Sequence, residues 1–476
     1  MTDPYRCFVH EMSGTDAGFL YFETPSSHMH VLGTIVLDTS AAPGWGTDTV
    51  VAHLRSRLEL TPMFSRRLVP ATLRLHHPVW VDVPDFDPAD HVRKVVCPAP
   101  GGMAELQQVT AELASTQLDR DRPLWEAIVV EGMAGDRGAV VFKIHHCATD
   151  GVGAARLMAA ILDLTPEGRT EQEMAEAKAI IAAEQKPEPS VLAVARHTAT
   201  GIATRPLKFL QFVPTAVKAV AGITRQQLGS TDTSGGALPF AAPRTPFNGR
   251  IGPERKVAYA DISLADVKRI KNAVGGTVND AVIAICGGAL RTYLDKRGEL
   301  PGSSLIASCP VSVRTEGDTS ANAVSSMFTS LGTDIEDPLE RLKAVRQANQ
   351  VGKSTHQAMG PGLVNQVGEL MTPTITTVLA RSYHALRLAD FHPVVHNLVI
   401  SNVPGPMFDI FLAGARVAGL YPLGPVLEGA GLNITLVSVG DRLDIGLISC
   451  AERMPDLDDL AADFAPAVQE LLDAVG

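Results

Sequence analysis

Runs of β-branched residues alternate with helical spacings along the chain. Residues 29–38, "MHVLGTIVLD", predict a strand. Residues 48–59 have helical spacing and stop before "TPMFSRRLVP". "RPLWEAIVVEGM" (122–133) and "GAVVFKIHH" (138–146) predict two strands joined by a short loop with Gly and Asp. A helix over 152–163 follows, apolar at 152, 157, 158, 161 and 162. Later come a helix over 277–294, a strand over 304–313, an apolar run at 394–401 and a hairpin over 432–450. This mixed order with long connections predicts α/β layers rather than a sandwich or a bundle.

The middle of the chain breaks the pattern. Residues 166–189 are rich in Glu, Ala and Lys and predict a solvated helix. Residues 191–229 hold five basic side chains (Arg196, Arg205, Lys208, Lys218, Arg225), no acidic ones, and many apolar residues. Phe209, Leu210, Val213, Val217 and Val220 share helical spacing there, so the segment can lie on an anionic membrane or pack on the protein itself. Residues 230–246 read as a loop. The division is a first α/β domain over 1–185, a linker over 186–245, and a second α/β domain over 246–476.

Length and charge narrow the class. The 476 residues suit two domains, and a 45% hydrophobic share can fill large cores. The formal net charge of −11 argues against nucleic acid as a partner. Six cysteines without a CxxC pair fit a reducing, cytoplasmic setting and give no zinc or redox motif. The N-terminus lacks the pattern of a signal peptide. No run reaches the ~18 apolar residues of a membrane span.

Chemistry concentrates in "KIHHCATDGVG", residues 143–153. Neighbouring side chains on a strand point to opposite faces, so His145 and His146 are expected to serve different surroundings. That weakens a metal reading, and no metal is expected. His146 suits general-base work, because an imidazole titrates near neutrality. His145 reads as a packed or structural histidine, and Cys147 as a small apolar filler. Asp150 can orient His146, pair with Arg66 or Arg67, or cap the helix that follows. Gly151 permits a tight turn into that helix.

These residues resemble a known family. HHxxxDG is the signature of the CoA-dependent acyltransferase superfamily. "MSGTDAGFLYFETPSSHMHV" (12–31), "DRPLWE" (121–126), "TVNDAVIA" (277–284), "PVSVR" (310–314), "SNVPGP" (401–406) and "GLNITLVSVGDRLDIGL" (431–447) look like the bacterial wax ester synthase/diacylglycerol acyltransferase family. Val439 departs from the aromatic that relatives often carry there. The resemblance implies two similar chloramphenicol-acetyltransferase-like α/β domains flanking a central channel. It implies transfer of a long-chain acyl group from acyl-CoA to diacylglycerol or to a fatty alcohol, with His146 as base and Asp150 structural. Acyl-CoA is then a substrate, and no cofactor is expected.

Ester formation from a thioester also needs a donor for the tetrahedral oxyanion. Asn279 is the candidate, with Asp280 beside it; the plainer reading of the pair is a helix start. Pro123, Leu124 and Trp125 read as packing or channel lining. Ser401 and Asn402, before Pro404 and Gly405, read as a rigid turn near the domain junction. Arg314 can pair with Asp150 or meet CoA phosphate. Because the substrates are insoluble, peripheral association with a membrane or lipid droplet fits. The alternatives are an acyltransferase for a different hydroxyl, or a catalytically weak lipid-droplet-binding protein of the same fold.

Overall fold

The β-branched runs form the strands of two six-stranded sheets, beside a small three-stranded one. The computed structural model describes residues 9–71, 76–149, 151–184, 240–312, 324–359 and 372–476. Asp150, Arg314 and the basic 191–229 segment lie outside them. The strands are β1 (Val9–Glu11), β2 (His30–Asp38), β3 (Arg66–Val69), β4 (Val79–Asp82), β5 (Val92–Val96), β6 (Trp125–Met133), β7 (Arg137–His145), β8 (Arg255–Ser263), β9 (Ile306–Ser312), β10 (Val324–Ser330), β11 (Leu398–Val403), β12 (Phe411–Leu412), β13 (Ala415–Leu423), β14 (Leu432–Val439) and β15 (Arg442–Cys450). The helices are α1 (Gly14–Phe22), α2 (Thr47–Arg57), α3 (Met103–Ala114), α4 (Gly151–Ile161), α5 (Glu171–Glu184), α6 (Leu264–Ala273), α7 (Val278–Asp295), α8 (Pro338–Met359), α9 (Pro373–Ala385), α10 (Leu457–Ala462) and α11 (Phe464–Val475).

The first sheet runs β12-β13-β2-β7-β6-β5 and the second β10-β9-β11-β14-β15-β8. The α/β class therefore stands. β12 and β13 come from the second half of the chain yet complete the first sheet, with Leu420 opposite Ile35 and Leu423 opposite Leu32. Cores are shared accordingly. Ile410, Leu412, Val437 and Val439 pack with Ile35, Val129 and Phe142. Leu106, Val109 and Leu113 of α3 pack with residues of the first sheet and with Val257 and Ile448 of the second. The Tyr259 hydroxyl is hydrogen-bonded to Thr34 Oγ1 at 2.8 Å and to Thr110 Oγ1 at 3.0 Å, so β8 is tied to both.

α7 is the core helix of the second half. Its residues are buried from Asp280 to Leu290, as their continuous apolar run requires. A side chain at Gly287 would stand 2.3 Å from the Leu331 carbonyl, so only glycine lets the helix come this close. No single helix among the described residues is long and apolar enough to cross a membrane.

One local expectation is corrected. Ser401 and Asn402 do not form a turn. They are part of β11, in parallel register with Thr435 and Leu436 of β14. The chain turns afterwards, where Gly405 donates its N–H to Ser438 Oγ at 2.9 Å. A Cβ at Gly405 would lie 2.2 Å from the Ser438 carbonyl, which explains the glycine.

Candidate active site

β7 ends at His145, and a 3-10 turn, His146–Ala148, follows at once. The two imidazoles part because the strand ends between them, not because of strand alternation. His145 is buried, and its Nδ1 accepts the Cys147 N–H at 3.1 Å. Its proton therefore sits on Nε2. That nitrogen lies 3.5 Å from Glu23 Oε2. Burial pushes the His145 pKa below the usual histidine range, against the pull of Glu23, so the ring stays neutral.

His146 is half-buried. Its N–H donates to the Met29 carbonyl at 2.8 Å. Met29 holds a left-handed backbone at φ 51°, so this contact fixes an unusual corner at the start of β2. The His146 ring stacks on Phe19 of α1, with centroids 4.0 Å apart and planes 8° from parallel. The turn's backbone is thus pinned to β2 and its leading imidazole to α1.

α1 begins under a Ser13 cap, whose Oγ accepts the Asp16 N–H at 3.0 Å. Its inner face, Ala17, Leu20 and Tyr21, packs with Leu124 and Cys147. Cys147 is the apolar filler that the sequence suggests, and burial pushes its thiol well above the ordinary range. At the end of α1, Glu23 lies in the interior and pairs with Arg120. Burial raises the Glu23 carboxyl, but His145 and Arg120 outweigh it and hold it below the usual range. His30 faces His145 in the β2–β7 register, its Nε2 4.0 Å from Glu23 Oε1. Burial, then Lys143 and His145, keep His30 well below its ordinary pKa.

Glu23, Phe19, His30 and Arg120 surround the two histidines, and none of them stood out in the sequence. A lone carboxylate in "FETPSSHMH", at the end of an apolar helix and just before two histidines, was the available signal.

The other candidates fall elsewhere. Gly151 opens α4. Leu124 and Trp125 are buried; the Trp125 indole donates to the Phe64 carbonyl at 2.8 Å and stacks on that ring. Pro123 is buried beside them. Arg67 is exposed on β3, and Arg66 Nε bonds Asp82 Oδ1 at 3.0 Å. Asp280 is buried in a capping box with Thr277 and accepts from Asn349 Nδ2 at 2.7 Å. Asn279, one residue earlier, is half-buried, and its amide has no partner among the described residues. β11, carrying Ser401 and Asn402, packs against α4, the helix that follows the histidine motif.

The comparisons agree with this architecture. Residues 12–282 match the model of the wax ester synthase/diacylglycerol acyltransferase catalytic domain, and residues 320–472 that of the family's C-terminal domain. A Mycobacterium tuberculosis (strain H37Rv) protein, whose name assigns it provisionally as a diacylglycerol O-acyltransferase, is 38% identical over 469 residues, covering 98% of this chain and 90% of its own. The solved wax ester synthase/diacylglycerol acyltransferase from Marinobacter aquaeolei VT8 superposes with a TM-score of 0.70 at 27% identity, covering 98% of this chain and 99% of its own. The trichothecene 15-O-acetyltransferase from Fusarium sporotrichioides shares the fold at a TM-score of 0.57 and 13% identity, covering 100% of this chain and 96% of its own. The protein is an acyltransferase built from two interlocked α/β halves. It belongs to the wax ester synthase/diacylglycerol acyltransferase family.

Proposed function

We propose that this acyltransferase moves a long-chain acyl group from acyl-CoA to diacylglycerol, giving triacylglycerol and free CoA, with His146 as general base. The observation that carries the reading is the half-buried His146 ring, held on Phe19 at the tip of a turn whose other histidine is locked neutral. His146 takes the hydroxyl proton as the acceptor oxygen attacks the thioester carbonyl. The tetrahedral oxyanion forms, and the unpartnered Asn279 amide is the donor proposed for it. Collapse expels the CoA thiolate, which receives the proton back from His146. Bonds and protons balance without a cofactor or an acyl-enzyme. Fatty alcohols are the parallel acceptor, because the family's name joins both activities. The enzyme works at a membrane or lipid-droplet surface, where such acceptors reside.

The test compares purified wild type and His146→Ala with palmitoyl-CoA, offering diacylglycerol and hexadecanol separately. CoA release and lipid product are read together. Loss of about a hundredfold or more in a folded variant is expected for a removed general base. A folded His146→Ala as active as wild type sinks the reading. The acceptor esterified faster decides between triacylglycerol and wax ester.

A further inference from the structure

α9 turns its apolar side outward. Ile375, Val378, Leu379 and Leu386 are spaced to share one stripe, and each is more than half exposed, from 56% at Val378 to 64% at Leu379 and Leu386. The polar side faces the protein instead. There the Tyr383 hydroxyl meets His392, and His384 pairs with Glu428. The stripe continues past the helix through Leu388 and through Phe391, which is 78% exposed. A contiguous apolar surface of this kind on a globular protein marks a surface that something covers.

Three observations indicate what covers it. α9 carries the exposed Arg381 and no acidic residue; Arg387, which follows at its end, is already paired with Asp390 at 3.0 Å, so Arg381 supplies the positive charge. That charge suits anionic headgroups flanking an apolar layer. The helix has 13 residues, about 20 Å, the scale of a segment lying flat in a bilayer interface rather than crossing it. Its inner side packs against α1, the helix that stacks Phe19 on His146, and α1 itself ends in the exposed Phe22. α9 and the turn that carries His146 are therefore both neighbours of α1.

We propose that the outer face of α9, with Leu388 and Phe391, is the surface on which the enzyme sits on an anionic phospholipid bilayer. Docking there leaves only α9 between the lipid and α1, so an acceptor dissolved in the bilayer reaches His146 by passing α9 and α1. The delivery role rests on the lipid-acceptor reading above, whereas the docking itself does not.

The full chain is tested by flotation with phosphatidylcholine vesicles, with and without phosphatidylglycerol. The variants are Val378→Asp/Leu379→Asp and, separately, Arg381→Gln. All three side chains are exposed, so folding is expected to hold, and the melting temperature checks it. Wild type floats with phosphatidylglycerol vesicles, and the double variant loses about tenfold or more of its bound fraction. Arg381→Gln weakens binding only where phosphatidylglycerol is present. Turnover of vesicle-borne diacylglycerol falls with binding, while turnover of a water-soluble alcohol does not. A folded double variant that floats like wild type overturns the proposal and moves docking to another segment, such as 191–229. A wild type that ignores both vesicles, or one that self-associates through this face while the double variant is monomeric, overturns it as well. If vesicle binding follows the variants but no transfer occurs with any acceptor, docking stands and the acyl-transfer reading fails.

Discussion

Glu23 Oε2 and His145 Nε2 meet 3.5 Å apart in the interior, one at the end of α1 and the other at the end of β7. The carboxylate faces the only proton on that ring, because Nδ1 is already taken by the Cys147 N–H. Through His145 it steadies the turn that presents His146. Arg120 supplies the opposing charge.

Glu23→Gln keeps the shape and removes the charge. It leaves Arg120 without its partner and is expected to cost about 1–3 kcal/mol in a denaturant titration. The kcat should fall while KM for acyl-CoA holds, because this carboxylate is buried and acts through His145. Glu23 also has a lowered pKa when folded. Its stabilising effect is present above the ordinary carboxyl value of 4.5 and is lost as pH falls further. An unchanged kcat in the variant would remove Glu23 from the positioning role.

Buried histidines set the acid limit at milder pH. His28, His30, His145 and His396 all have folded pKa values below the ordinary 6.5, each chiefly through burial. Between those values and 6.5 the unfolded chain binds more protons, so stability rises with pH. The full contribution is present above 6.5 and is lost as pH falls below it. Calorimetry from pH 8 to pH 5 should show the melting temperature falling steadily below 6.5. His396 gives the sharpest check. It is pushed down to about 4, and neither of its ring nitrogens has a hydrogen-bond partner among the described residues. His396→Phe fits beside Phe328, whose ring centre is 5.8 Å away. It should stabilise the protein in acid, by up to about 3 kcal/mol below pH 4. A variant with the wild-type pH slope would contradict this.

Asn279 and Asp280 are adjacent yet should separate cleanly. Asp280→Ala removes the capping box and strands Asn349, costing about 1–3 kcal/mol of stability. Asn279→Ala breaks no side-chain bond among the described residues and should leave the melting temperature in place. If its amide serves the oxyanion, kcat falls by about a hundredfold. Equal activity in Asn279→Ala and wild type would send the search for that donor elsewhere.

Much of the fold was legible where local pattern and burial agree. β2, β6 and β7 follow their β-branched runs, and the helix expected over 277–294 is α7, though its cap is Thr277 and Asn279 lies inside the first turn. Ser401 and Asn402 read as a turn from their composition; pairing with β14 imposes extended backbone all the same. His146 stands out in the sequence through its motif. Glu23 does not, since a single carboxylate gains meaning only once the sheet register sets His30 beside His145. Nor could local pattern reveal that residues 416–423 pair with β2, because strand partners far apart in sequence leave no periodic trace.

That distant pairing has a consequence for how the protein is made. The chain leaves the ribosome N-terminus first, so β2, β7, β6 and β5 emerge long before their last neighbour. Until residues 411–423 appear, one side of β2 is an open ladder of N–H and C=O groups beside an unfilled core. The nascent first half therefore waits, sticky and incomplete, through most of its own synthesis. Expression should depend on chaperone supply and on translation speed across the second half, and a ribosome stalled before residue 411 would leave an aggregating fragment rather than a smaller working enzyme.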